Sequence, residues 1–248
     1  MQAARQLMRA ADIVLENNRP GVMDRLGLGY ADIRQLNRQI VYCSISAYGQ
    51  SGPRSQEGGF DLTVQAMSGL MSVTGETDGP PVKCGVPVCD FSAGLYAAFA
   101  IVSALRMAER NGEGTHIDIS MLGATLGIAA LQTSEYFGSG NNPRKLGSAH
   151  PRNAPYQVFR CKQGYFGMAA GNNSLWKSVC QVVGRLNCLM MKGSPARCCA
   201  RSTSRPCWKS WNRSLPAKMR NTGLNSSVRP ACPARPSINI RMYWPMNR

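Results

Sequence analysis

Residues 40–53, IVYCSISAYGQSGP, decide the fold class. Ile40–Ser46 alternates β-branched and small side chains, the period-two pattern of a strand. Ala47–Pro53 is a Gly-rich loop at the C-terminal end of that strand. Upstream, Arg5–Ala11 reads as the end of a helix. Asp12–Glu16 (DIVLE) reads as a short buried strand, closed by the turn NNRPG at 17–21. Val22–Leu28 and Tyr30–Asn37 supply helical turns around Gly27 and Gly29. Downstream, Phe60–Leu70 carries apolar residues at 60, 64, 67 and 70 and reads as one helix. Gly75–Gly85 is a polar loop, and Asp90 opens a long small-residue helix running to about Arg110. His116–Ile119 is a further strand and Met121–Phe137 a further helix. Residues 138–153 form a Gly/Asn/Pro-rich linker. Tyr156–Arg160 and Tyr165–Ala169 read as strands of a smaller second domain. Short strands alternating with helices imply an α/β fold with a parallel sheet, which binds ligands at the C-terminal ends of its strands.

Charge divides the 248-residue chain sharply. All 13 acidic residues lie before position 186, whereas residues 186–248 hold twelve Lys and Arg and no acid. That tail accounts for most of the net charge of +16. Whole-chain charge would otherwise read as nucleic-acid binding, yet basic charge is an electrostatic footprint and not a mechanism. The tail shows no helical or strand periodicity and is expected to be disordered. Read one nucleotide earlier, LNCLMMKGSP (186–195) can encode PELPDDERFA, because the codons of Met190, Met191 and Lys192 force Asp-Glu. The same shift lets ACPARPSINIRMYWPMNR (231–248) encode GVPCAPINKYPDVLADE. Our hypothesis is therefore a single frameshift near Arg185, making 186–248 an out-of-frame tail.

Met1–Ala11 is basic and amphipathic with no apolar core, so no secretory signal is expected. The apolar runs around Leu95–Leu105 and Met121–Leu131 read as too short and too rich in Gly and Ala to span a bilayer. The expected protein is soluble and cytoplasmic, without a membrane or a specific nucleic-acid partner. Five of the ten cysteines (Cys43, Cys84, Cys89, Cys161, Cys180) sit singly in apolar contexts, as reduced thiols do. With no CxxC and two histidines, no metal site is expected.

Carboxylates stand out as candidate chemistry. Asp90 follows GVPVC (85–89) at the start of the long helix, the position of an N-cap, where a side-chain oxygen accepts orphan backbone N–H bonds. A carboxylate held there stays ionised and can also act as a nucleophile. Phe91, Ser92, Ala93 and Gly94 leave room for a ligand beside it. Asp61 follows Gly58, Gly59 and Phe60 at the start of another helix and again reads as a cap. His116 reads as a structural histidine in a strand. His150 lies in the linker, where loop residues more often serve function.

The segments ADIVLENNRPGVMDRLGLGY (11–30), SAYGQSGP (46–53), GGFDLTVQAMSGLMSVTG (58–75), DGPPVKCGVPVCDFSAGLYAA (78–98) and GEGTHIDISML (112–122) closely resemble the class III CoA-transferase family. This family includes formyl-CoA transferase, carnitine CoA-transferase and the α-methylacyl-CoA racemases (the CaiB/BaiF type). The resemblance covers residues 5–185. It implies that 1–137 is part of a large Rossmann-like CoA-binding domain, 138–155 a linker and active-site loop, and 156–185 the start of a small α/β domain. It implies CoA transfer from an acyl-CoA to a carboxylic acid through aspartyl-anhydride and aspartyl-CoA thioester intermediates. CoA and acyl-CoA would be substrates, with no permanently bound cofactor, in an interlocked homodimer. Residue by residue, the resemblance makes Asp90 the nucleophile and Asp61 an acidic neighbour lining the site. Asn17 and Arg25 become CoA-binding positions, and AHPRN (149–153) supplies a substrate loop through His150, Arg152 and Asn153. Backbone donors of the Gly-rich loops are expected to stabilise the tetrahedral oxyanion.

Departures from the family pattern are also expected to matter. Racemases of the family place a His directly before the acid of the GFD motif. Here that residue is Phe60, which cannot exchange a proton, so transferase chemistry is favoured over racemase or epimerase chemistry. Asn18 replaces the aromatic usual in the ENF motif. Family members are longer and open with a strand and CoA-binding segment not expected in this chain, and most of the small domain is expected to fall in the altered tail. The polypeptide as written is therefore expected to be an impaired or inactive fragment, with a basic nucleic-acid-binding protein as the alternative of another class.

Overall fold

A computed structural model describes residues 2–161 and 164–182. The out-of-frame reading of 186–248 lies outside the described residues. Two compact units divide the chain between Lys145 and Leu146.

The first unit opens with α1 (Gln2–Ala10), β1 (Ile13–Glu16), α2 (Val22–Arg25), α3 (Tyr30–Leu36) and β2 (Val41–Ser46). It continues with α4 (Asp61–Met67), α5 (Leu70–Val73), α6 (Val88–Asn111), β3 (Thr115–Ser120), α7 (Met121–Ile128) and α8 (Ala130–Ser139). The three strands are parallel in the order β1-β2-β3, with Ile13 opposite Val41 and Val41 opposite Thr115. β2 is central, and five of its six residues are buried. Side chains of a strand alternate between faces. Tyr42 accordingly packs with Val14, Leu28, Ile33 and Ile40 against α1 and α3. Ile45 instead faces the cluster of Ala47, Val64, Cys89, Ala93, Met121 and Ala124 under α4, α6 and α7. Both faces are covered, as a parallel sheet requires.

Four sequence expectations are corrected. DIVLE is an edge strand of this sheet and not a buried one: only Val14 is buried, and Leu15 is 57% exposed. The single helix expected over 60–70 breaks at Gly69, whose φ of +78° ends α4 before α5 begins. The single helix expected over 121–137 breaks at Ala129. Its first half is weakened by two glycines, and a Cβ on Gly127 would come 2.5 Å from the Tyr96 hydroxyl, so that ring would have to shift. Finally, α6 is long and apolar enough, by length and composition, to cross a membrane. One narrow face of it, the small residues Cys89, Ser92, Ala93 and Ala97, is buried where it packs on the sheet and on α7.

The second unit holds β4 (Tyr156–Cys161), β5 (Gly164–Ala169) and α9 (Asn173–Val182). The two strands pair antiparallel, with Phe159 opposite Phe166. Trp176, Val179 and Cys180 of α9 close over those phenylalanines.

Candidate active site

The loops after β1 and β2 and the N-termini of α4 and α6 meet at the C-terminal edge of the sheet. Asn17, just past β1, donates its Nδ2 to the carbonyl of Ile45 at 2.8 Å, tying the exit of β1 to the end of β2. The loop after β2 is braced from within. Gly49 N donates to Ser46 Oγ at 3.0 Å, and Gln50 N donates to Asp118 Oδ2, at the end of β3, at 2.8 Å. Those two amides are therefore occupied by the protein's own acceptors. Ala47 supports the next segment: a Cβ on Gly59 would lie 2.7 Å from the Ala47 methyl, so only glycine lets the chain pass here on its way to Asp61.

Asp61 is the first residue of α4, and Phe60 at the cap position makes no side-chain cap. Its carboxylate does not cap α4, as local spacing suggested. Oδ1 instead accepts from the backbone N of Cys89 at 2.8 Å, capping α6 from across the fold. Oδ2 accepts from Gln65 Nε2 at 2.5 Å. The other end of the Gln65 amide, Oε1, accepts from Cys84 N at 2.7 Å.

Asp90 is the third residue of α6, in its first turn, and the cap position belongs to Pro87. The N-cap expectation is thus corrected by one turn of register: Asp61 takes the capping role and leaves the Asp90 carboxyl without it. The positive end of a 24-residue helix favours the ionised carboxylate. Against it, partial loss of water pushes the Asp90 pKa up, and the charge of Asp61 adds to that rise. The helix and the second carboxylate thus act on Asp90 in opposite directions. Around it, Ser92 and Ala93 are buried, so they do not line a ligand space. Phe91 is 64% exposed, and a Cβ on Gly94 would meet only open space. The neighbouring Cys89 thiol is pushed up chiefly by burial, opposed by a hydrogen bond with Thr125, and is no competitor as a nucleophile.

Among the other expected residues, Arg25 ends α2 with its guanidinium beside Gly21. Sequence reasoning passed over Arg19, whose guanidinium lies against Gly58 in the stretch leading to Asp61. It also passed over Gln65, although an Asp and a Gln four apart on one helix are a known pairing. His116 is structural, with Nε2 2.9 Å from Ser44 Oγ and its ring stacked on Tyr30. His150, Arg152 and Asn153 belong to the second unit. There His150 Nδ1 accepts from the backbone N of both Arg152 and Asn153 at 3.1 Å, and its ring leans on Tyr156. The imidazole is thereby a brace for its own loop.

The sequence matches CoA-transferase family III over residues 1–212. It is 43% identical over 180 residues to a succinate–glutarate CoA-transferase of Agrobacterium fabrum, covering 73% of this chain and 45% of that protein. It is 40% identical over 180 residues to an acetyl-CoA:oxalate CoA-transferase of Acetobacter aceti, covering 72% of this chain and 46% of that protein. The crystal structure of a CaiB/BaiF family protein from Brucella suis superposes with a TM-score of 0.72 at 35% identity, covering 88% of this chain and 57% of that one. The chain thus spans about half the length of the curated relatives it matches. On the extent of the match and the shared fold, the chain belongs to CoA-transferase family III.

Proposed function

We propose that this chain derives from an enzyme that transfers CoA between carboxylic acids, with Asp90 as the nucleophile. The observation that carries this reading is the placement of Asp90 in the first turn of α6, beside a second carboxylate that caps the same helix. An Asp90 carboxylate oxygen attacks the acyl-CoA thioester carbon; the C–S bond breaks and CoA leaves as thiolate. The thiolate then attacks the aspartyl carbonyl of the mixed anhydride, releasing the donor acid and leaving an aspartyl-CoA thioester. The acceptor carboxylate displaces CoA again to form a second anhydride. Attack of the thiolate on the acceptor's acyl carbon gives the new acyl-CoA and restores Asp90. Thioester energy is conserved throughout, and exclusion of water protects each intermediate.

Asn17, Arg25 and the 149–153 loop, with His150, Arg152 and Asn153, are proposed to bind CoA and substrate; guanidinium groups suit a pyrophosphate. The names of the relatives favour short dicarboxylic acids. Phe60, 85% exposed at the head of α4, holds no exchangeable proton, which supports transfer over racemisation. The apolar face of α6 formed by exposed Phe91, Leu95, Phe99 and Val102 supports a homodimer, since such a face calls for cover. Free thiols at Cys43, Cys84 and Cys89 support a reducing cytoplasm.

The test is to incubate the chain, with and without a one-nucleotide repair of frame near codon 185, with succinyl-CoA and glutarate. CoA exchange and a CoA adduct on the peptide bearing Asp90 are the expected results, weaker in the unrepaired chain and lost in Asp90→Ala. Exchange that survives Asp90→Ala would refute the assignment.

A further inference from the structure

Gln65 is a polar residue in the apolar core, fully buried on α4 next to Val64. Its amide has one permitted orientation. Turned over, it would set Oε1 against the Asp61 carboxylate and its NH2 against the Cys84 N–H, two repulsive contacts in place of two hydrogen bonds. As placed, it links the Cys84 amide to Asp61, and Asp61 passes the link on to the Cys89 amide beside Asp90. Both backbone donors flank the GVPV segment, the entry to the helix that carries Asp90. The relay thus fixes where that segment starts and keeps a carboxylate pinned to the α6 N-terminus.

Resting on the assignment of Asp90 as nucleophile, we propose that Gln65 is a positioning residue for the reaction: it locks Asp61 onto the head of α6 and so sets the place and reactivity of Asp90. The titratable and charged groups facing this relay are Asp90 and Cys89 on α6 and Cys84 and Lys83 in the loop before it, where Lys83 Nζ donates to the Cys84 carbonyl. The flanking α5 and α7 contribute none.

Substitution by Glu gives a test that a merely structural role would not pass. When protonated, Glu at 65 donates to Asp61 and accepts from Cys84 N, reproducing both bonds; when ionised, it repels Asp61. The rate of CoA-adduct formation in Gln65→Glu, relative to the unsubstituted chain, should fall at least about tenfold as pH rises from about 5 to about 8. Gln65→Leu should be slower roughly ten- to a hundredfold at every pH. A Gln65→Glu ratio that stays flat across this range would overturn the proposal.

Amide hydrogen exchange in the same 248-residue chain reads the relay without catalysis. Cys84 N–H and Cys89 N–H should exchange more slowly than the amide of exposed Gly85, and Gln65→Leu should release both. Unprotected amides in the unsubstituted chain, or a Cys89 amide indifferent to Gln65→Leu, would also overturn it. Protected amides in a chain that forms no adduct on Asp90 would instead sink the nucleophile assignment and leave the relay standing.

Discussion

Replacing Asp61 by Asn exchanges one carboxylate oxygen for an NH2 and should cost the first unit about 1–3 kcal/mol. The figure follows from a forced choice. If the Asn oxygen keeps the Cys89 amide, its NH2 faces the NH2 of Gln65, which cannot turn over because Cys84 N needs its oxygen. If the Asn is turned the other way, its NH2 confronts the Cys89 N–H and the α6 cap is lost, a loss of about 1 kcal/mol or more. Either way one buried donor is left without an acceptor. Asp61→Ala removes both bonds and should cost more than Asp61→Asn.

A second substitution should rescue the loss. In Asp61→Asn with Gln65→Glu, the Asn NH2 donates to the Glu carboxylate, which still accepts from Cys84 N, and the Asn oxygen still caps α6. About 1 kcal/mol of the single-variant loss should return, as a favourable coupling in the double-mutant cycle. It will be incomplete, because a charge at the fully buried position 65 loses more water than one at Asp61. Urea unfolding followed by far-UV circular dichroism is the assay, because all four tryptophans lie beyond residue 145 and their fluorescence would not follow this unit. An Asp61→Asn chain within about 0.5 kcal/mol of the original, or a double variant no better than the sum of its singles, would refute the forced choice.

Three further outcomes are expected. Gly59→Ala should destabilise the first unit by about 1–3 kcal/mol, because the new methyl meets the Ala47 Cβ at 2.7 Å and neither group can rotate away; an unchanged urea midpoint would contradict that. The Asp90 pKa is raised in the folded chain, so the ionised form is the disfavoured one and the stabilising protonated form is lost as pH rises. Asp90→Asn should therefore match the original chain below about pH 3.9, the ordinary Asp value, and become the more stable of the two above it; equal stability at pH 7 would show that the rise is absent. Resequencing the gene around codon 185 should reveal one misplaced nucleotide, and repair should restore acidic residues to the tail; an uninterrupted frame in independent clones would remove the frameshift hypothesis.

The sheet was legible because its central strand carries its own signal. IVYCSIS needs no neighbour to be read, since alternation and burial on both faces are written into the segment. DIVLE was misjudged for the complementary reason. An edge strand with apolar residues exposed at Ile13 and Leu15 looks buried in sequence, and only the strand order shows that, among the described residues, it pairs on one side with β2. The break at Ala129 was hidden because Gly123 and Gly127 fit the period of a single helix, while the close approach of Tyr96 on α6 to Gly127 is long-range.

The candidate site divides in the same way. Asp61 and Asp90 were recognisable as carboxylates at helix starts, because capping is a local property. Their roles were not, because a cap need not come from the helix it caps. Asp61 is 28 residues from the amide it holds, and Gln65 is 19 from the one it accepts. Neither separation has a periodicity that a sequence can display. What joins them is the crossover from β2 through α4 to α6, which sets two helix N-termini side by side at one edge of the sheet. A carboxylate in the first turn of a lone helix is stabilised and dull. Here a neighbour occupies the cap, supplies a second negative charge and is itself held by a buried amide. Asp90 is then left at the favourable end of the helix without the bond that would quench it.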